Sequence, residues 1–290
     1  MLISRGQALW SVGRDEDSLA DNVAGERLAV ATGWTTAAAY LAHHVGWLFM
    51  ERGSLADADQ WLHRALERTA GDRGSHVRAV TLNGLGVLRL CQGELRAAAD
   101  LLGEALEINE AAGRETSALA NRGNLASALR QLGAERQAAQ VLASVLEAYR
   151  RRSNLRGELS TLDERSLLHS QCGEGAAALE TATRAHDLAV IVRDRKAQAQ
   201  TAATVAQAHL TLGDAPAATE WVDRCLAIAR ETYPFIETRA LVCLATARRV
   251  AGDTSGAAEA AKAARAIAEF CGFRLLEEQA RTALRVPVPR

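Results

Sequence analysis

Small side chains recur along this chain with a fixed period, and the large apolar ones keep step with them. Glycines stand at Gly13, Gly53, Gly93, Gly133, Gly173, Gly213 and Gly252, forty residues apart until the last interval, which is thirty-nine. Seven residues before each glycine comes Gly6, Gly46, Gly86, Ala126, Ser166, Ala206 or Ala245, and five after it Ser18, Ala58, Ala98, Ala138, Ala178, Ala218 or Ala257. Two antiparallel helices joined by a short turn approach most closely where neither side chain extends past a methyl or hydroxymethyl group. The pattern therefore predicts seven helical pairs. In each, the first helix ends at the glycine, where positive φ is common, and the second starts on an acidic or small residue such as Ser54, Glu94, Asp214 or Asp253. Leu62/Leu66, Leu102/Leu106, Leu142/Leu146 and Val222/Leu226, nine and thirteen residues past the glycine, share one face of the second helix and mark the core.

The seventh second helix is expected over about Gly256 to Phe270. One more amphipathic segment, about Phe273 to Leu284, reads as a cap, since an open solenoid end needs a partly polar cover. Residues 1–285 thus read as one array and 286–290 as a flexible tail. Met1 lies twelve residues before Gly13, so the first helix of the first pair is cut short, as in a piece excised from a longer array. Composition agrees with an all-α fold: 60 alanines, 4 prolines and 4% aromatics favour helix over strand. Lys+Arg (34) against Asp+Glu (35) leaves a net charge of -1, so no global field draws the chain onto nucleic acid or an anionic membrane. Five widely spaced cysteines without a C-x-x-C pair argue against a disulfide framework or a zinc site and fit a reduced, cytoplasmic setting. No apolar h-region follows Met1, and no stretch approaches eighteen apolar residues.

A small residue, a turn glycine and an alanine at these offsets resemble the tetratricopeptide repeat (TPR), and the resemblance covers essentially the whole chain. The unit has forty residues rather than the usual 34 and no closing proline, so both helices or the connector must be longer. Phrases such as Leu82-Asn83-Gly84-Leu85-Gly86 and Ala112-Gly113-Arg114-Glu115 are similar to the C-terminal TPR arrays of bacterial signal-transduction ATPases and transcriptional activators. The large LuxR-type activators and the Streptomyces antibiotic regulatory proteins are the nearest types. The resemblance implies a right-handed α-solenoid whose first helices line a concave groove, acting as a bacterial sensor or partner-docking region without catalysis.

In TPR folds the residues 13, 10, 6 and 3 before the turn glycine face that groove. Here they begin with Tyr40, His43, Trp47 and Met50, an i, i+3, i+7, i+10 stripe beside His44, with Trp34, Trp61 and His63 nearby in sequence. The stripe is either packing against the neighbouring unit, an aromatic anchor for a partner, or a homodimer interface. The following units contribute Val80, Asn83, Val87 and Leu90, then Ser127 and Arg130, then Ser160, Asp163, Leu167 and Ser170. Gln200, Gln207, Leu210, Arg239, Thr246 and Arg249 complete the set. Such a groove is apolar at its N-terminal end and polar, then basic, towards the C-terminus. It suits an extended peptide, or a small effector with one apolar and one anionic end. Asn83 offers a bidentate amide for a peptide backbone, and Arg130, Arg239 and Arg249 offer guanidinium groups for a carboxylate or phosphate. Each is equally readable as a solvated or salt-bridged surface residue.

Other chemistry is sparse. P-loop, G-x-S-x-G, H-E-x-x-H and EF-hand patterns are absent, so no cofactor or metal is implied. Gly84-Leu85-Gly86 imitates a dinucleotide fingerprint, yet it lacks a third glycine and the repeat already explains Gly86. His169 and His209, four before the turn glycine in consecutive units, read as hydrogen-bonded packing residues. An enzyme would join them with His186 in a metal or proton-transfer cluster, but the sequence places no carboxylate to complete one. The run Arg150, Arg151, Arg152, Arg156 and its echo Arg193, Arg195, Lys196 complement helix C-termini or meet an acidic partner. No interleaved aromatics support nucleic-acid stacking.

Overall fold

The computed structural model describes residues 15–285. Gly6, Gly13, the helix expected to end there and the tail 286–290 lie outside the described residues. Fourteen helices and no strand occur within them: α1 (Asp15–Ala31), α2 (Thr35–Glu51), α3 (Leu55–Glu67), α4 (His76–Gln92), α5 (Leu95–Ala111), α6 (Glu115–Gln131), α7 (Glu135–Arg151), α8 (Leu155–Gln171), α9 (Gly175–Ile191), α10 (Arg195–Thr211), α11 (Ala215–Ala229), α12 (Pro234–Val250), α13 (Thr254–Cys271) and α14 (Arg274–Arg285). Most helices have seventeen residues and most links three. The extra length of the unit therefore lies in the helices, and the expected cap is α14.

The turns show why the cadence is so regular. At the end of α2, Gly53 N–H bonds the Met50 carbonyl (3.0 Å) and Ser54 N–H the Phe49 carbonyl (2.9 Å), with Gly53 at φ +77. This double wrap satisfies carbonyls that the helix end leaves open. Asp214 and Asp253 then accept from the N–H of Ala217 (3.1 Å) and Gly256 (2.8 Å), as N-caps do. Ser54 and Glu94 make no side-chain cap, contrary to expectation. A similar wrap ends most of the second helices, about twenty residues later. There the left-handed residue is Gly33, Gly113 or Gly272, but also Ser153 (φ 52) and Arg193 (φ 54), while after α11 Glu231 (φ 60) gives its N–H to Glu237 instead, so glycine spacing conceals this half-period.

Packing follows the small positions. A Cβ on Gly46 would stand 2.7 Å from Leu62 Cγ and 3.2 Å from the Ala58 carbonyl, and one on Gly86 2.6 Å from Leu102 Cγ. Ala58, Ala98, Ala138, Ala178 and Ala218 are all fully buried. Where serine fills the position, its hydroxyl finds a use: Ser166 donates to the Ala178 carbonyl (2.8 Å). The described residues divide into two compact bodies, one running up to Leu90 with Glu94–Leu125, the other made of Cys91–Gly93 and the residues from Ala126 onward. In the first, α2 packs against both α1 and α3; in the second, the first helices α8, α10 and α12 lie side by side with α9, α11 and α13 packed against them. Leu142, Leu188, Val205 and Val222 are among the fully buried side chains of that core.

Candidate functional site

The first-helix face of the N-terminal body carries α2, α4 and the start of α6. On α2, Tyr40 stacks edge-on against His44 (4.5 Å between centroids), and His43 lies 5.6 Å from His44. Tyr40, His43, His44 and Trp47 are half-buried, whereas Met50 is buried at 7% exposure and belongs to the core rather than to a groove. Gly84 on α4 makes room for the imidazole of His43: a Cβ there would stand 3.2 Å from its Cε1. His43 Nδ1 is buried without a hydrogen-bond partner. Burial above all, then the neighbouring His44 and His76, hold its pKa down to about 3, and burial also lowers that of His44. Both rings are neutral at physiological pH, so this end of the face is aromatic and uncharged.

Beside it runs a chain of carboxamides. Arg114 Nη1 donates to Asn109 Oδ1 (3.3 Å), Asn109 Nδ2 to Asn121 Oδ1 (2.7 Å) and Asn121 Nδ2 to Asn83 Oδ1 (2.9 Å). Asn124 Nδ2 donates to the same Asn83 oxygen (2.8 Å). The bidentate use expected of Asn83 is therefore half closed, because its carbonyl already accepts two bonds. Asn83 and Asn124 are half-buried, Asn109 and Asn121 buried. Val87 and Leu90, further along α4, are also half-buried.

In the C-terminal body the predicted polar residues bond mostly to one another across successive first helices. Arg130 Nε donates to Glu164 Oε1 (2.5 Å), while Gln171 bonds both the Arg130 carbonyl and Glu135 (3.1 Å each). Asp163, only 2% exposed, accepts from Gln200 Nε2 (2.8 Å); Arg239 Nη2 donates to Thr204 Oγ1 (3.3 Å), and Cys243 Sγ to Gln207 Oε1 (3.5 Å). Burial pushes the Asp163 carboxyl upward, opposed by the Arg239 charge and by bonds from Gln200 and Thr204. Arg130 is thus committed to Glu164, and Arg239 faces a buried acid, so neither is a free anion site. Arg249 Nη1 and Ser170 Oγ are buried without hydrogen-bond partners, and Ser127 is half-buried. The bonds run through the position nine before the turn glycine (Asn124, Glu164, Thr204, Cys243), a column the sequence offsets left out.

No protein-family profile matches the sequence, nor does any curated protein. Solved structures do share its architecture. A Rap protein complexed with Competence and Sporulation Factor superposes with a TM-score of 0.75 at 14% identity, over 97% of this chain and 79% of that one. NprR in complex with its cognate peptide NprX gives 0.67 at 13% identity, over 84% and 71%. A signal transduction ATPase with a tetratricopeptide repeat sensor, from Pyrococcus horikoshii, gives 0.60 at 15% identity, over 94% of this chain and 43% of that one. The fold is a tetratricopeptide-repeat solenoid. Among the described residues no helix is long and apolar enough to cross a membrane, and no three His, Cys, Asp or Glu side chains converge on a metal position.

The remaining candidates of the TPR chain have local partners. His169 Nδ1 bonds Glu174 (2.5 Å) and His209 Nδ1 lies 3.5 Å from Asp214, each acid following the turn glycine. His186 bonds Thr201 (2.9 Å) and meets Trp221 edge-on. The three histidines serve separate contacts. Of the basic run, Arg150 pairs with Glu158, Arg151 with Glu147 and Arg156 with Asp194.

Proposed function

We propose that this chain is a non-enzymatic recognition module, the cytoplasmic sensor or docking region of a bacterial regulator of the LuxR or Streptomyces antibiotic regulatory type, and that it binds an extended peptide on the first-helix face of its N-terminal body. One observation carries the reading. An uncharged aromatic stripe, Tyr40–His43–Trp47, stands on α2, the first helix of the unit preceding α4, which presents Asn83, whose Nδ2 group is left over when its carbonyl is saturated. Aromatic anchors beside main-chain donors and acceptors are what peptide recognition uses. The C-terminal body supports the reading by contrast, since Arg130, Asp163, Gln200 and Arg239 are engaged with one another or with neighbours on that face. The Rap and NprR complexes make a peptide the natural first ligand to test, NprR having been solved with its cognate peptide.

The test is a displayed random-peptide library panned on the immobilised chain, with Trp47→Ala panned in parallel. Enrichment of a peptide family that Trp47→Ala fails to retain, at an unchanged unfolding midpoint, is the expected result. Enrichment that Trp47→Ala retains in full moves the site off this face, and failure to enrich any sequence removes the peptide reading.

A further inference from the structure

Four of the six asparagines of the chain form one hydrogen-bonded relay, and the relay has a direction. A carboxamide donates from nitrogen and accepts at oxygen, so an isolated pair is stable in either sense; a guanidinium only donates. Arg114 therefore fixes the sense of the whole series. Its Nη2 is anchored on the Gly74 carbonyl (2.8 Å), and Nη1 reaches Asn109, which must turn its oxygen towards it. Asn109 then has only N–H to give to Asn121, and Asn121 only N–H to give to Asn83. Because Asn109 and Asn121 are 1% and 2% exposed, water offers no alternative partner and reversal would leave buried groups unsatisfied. At the outer end Asn83 Oδ1 is saturated by Asn121 and Asn124, which leaves Asn83 Nδ2 as donor and Asn124 Oδ1 as acceptor on two adjacent first helices.

Next to Asn124 stands Gly123, in the middle of α6. Glycine there weakens a helix relative to alanine. At Gly46, Gly84 and Gly86 a neighbour within 3.2 Å explains the missing side chain, but a Cβ on Gly123 would meet nothing within 4 Å. Folding does not require this glycine. Bare backbone beside an unused donor and acceptor suits close approach by another main chain.

We propose that Asn83 Nδ2 and Asn124 Oδ1, beside the open backbone of Gly123, read one main-chain amide of an extended peptide in a single orientation, and that Arg114 is the positioning residue that sets this orientation through Asn109 and Asn121. The proposal rests on the peptide reading above and adds the atoms and their polarity. Arg114 does so from the far end of the relay, three side chains away from Asn83.

The test has an arm without ligand and an arm with one. In 15N-labelled protein, the Nδ2 protons of Asn109 and Asn121 should exchange slowly with water and those of Asn83 fast. Asn109→Asp still accepts from Arg114 but cannot donate, so Asn121 turns over and Asn83 Nδ2 becomes its donor: slow exchange at Asn83 is expected, while Arg114→Lys, which keeps a donor-only group, retains the parent pattern. Fast exchange at Asn83 in Asn109→Asp overturns the relay whatever the ligand is. In the second arm, N-acetyl-tetraglycine amide, a probe with backbone and no side chains, should shift the Asn83 and Asn124 side-chain signals saturably. Asn109→Asp should weaken that binding at least tenfold. Gly123→Ala should weaken it likewise while raising the unfolding midpoint, whereas Gly103→Ala, also in open space within a helix, raises the midpoint alone. A probe that shifts neither asparagine, or binds Gly123→Ala as well as the parent, overturns the amide site. A library peptide that depends on Trp47 would leave the broader peptide reading standing in that event.

Discussion

The buried imidazole of His43 makes the N-terminal body sensitive to acid in a way that one variant isolates. Its pKa is about 3 in the folded chain against an ordinary 6.5, so the native state holds it neutral and the unfolded chain binds the proton first. A depressed folded value means that its full contribution is present above pH 6.5 and is lost as pH falls towards 3. Between about pH 8 and pH 5 the unfolded histidine becomes almost fully protonated and the folded one stays neutral, which costs about 2 kcal/mol of stability. The figure is insensitive to the folded value, because any value below about 4 gives nearly the same cost at pH 5. Urea unfolding of the parent and of His43→Phe, followed by tryptophan emission, checks it. Trp34, Trp47 and Trp61 report on the N-terminal body. Carboxylates, together with His44 and His76, titrate in both proteins and largely cancel in the difference. The stability gap between parent and variant should shift against the parent by about 2 kcal/mol on going from pH 8 to pH 5. A gap that stays constant across that range refutes the claim that this imidazole is held neutral by burial.

Three further outcomes test the packing and the turns. Ala138→Leu should destabilise the C-terminal body by roughly 1 to 3 kcal/mol through overpacking, since Ala138 is fully buried against Ala126 and Leu142; an unchanged urea midpoint would contradict the small-residue register. Arg193→Gly should stabilise by about 0.5 to 1 kcal/mol, relief of the left-handed strain at φ 54 exceeding the added freedom of the unfolded chain; a lower melting temperature counts against it. Asp163→Asn should lose pH dependence: with the folded carboxyl raised by burial, the parent is best off below the ordinary carboxylate range and loses stability as pH rises through the raised value. The variant should therefore gain on the parent between about pH 4 and pH 7, and a relative loss over that interval refutes the sign.

What the sequence made legible was whatever packing imposes on residue size. Gly46, Gly86 and Ser166 sit opposite Leu62, Leu102 and the Ala178 carbonyl because the helices touch there, and size at a contact can be read from spacing alone. The second set of turns was not legible, because the wrap that ends α7 and α9 tolerates Ser153 and Arg193 at positive φ, and α11 is followed by Glu231 at positive φ in a different turn, so the residue that marks the turn elsewhere is absent. Met50 was placed on the groove by its offset, yet it is buried, since the helical face turned towards neighbouring helices is wider than the face turned outward. The relay was illegible for another reason. Asn83 was singled out, but the rest of the relay, Asn109 on α5 and Asn121 and Asn124 on α6, stands at offsets that no single periodicity connects.

The same face in the two bodies shows why residue type alone does not identify a site. Arg130 and Arg239 look like anion anchors, but Arg130 is bonded to Glu164, and Arg239 bonds Thr204 within the field of the buried Asp163 carboxyl, so each has little left to offer a ligand. In the N-terminal body the hydrogen-bonding arithmetic comes out differently. Two carboxamide nitrogens converge on one Asn83 oxygen, so a donor on Asn83 and an acceptor on Asn124 are necessarily left over. Recognition needs such a remainder: polar capacity that the fold orients and does not itself consume. The charged ladder of α8, α10 and α12 ties successive helices together and leaves only buried atoms such as Arg249 Nη1 and Ser170 Oγ without partners, whereas the asparagine relay ends in a donor and an acceptor on the half-buried Asn83 and Asn124 beside Gly123. On this argument an arginine-rich stretch of first helices is the stiffer part of the array, and the uncharged, asparagine-bearing stretch is where a partner gains most by docking.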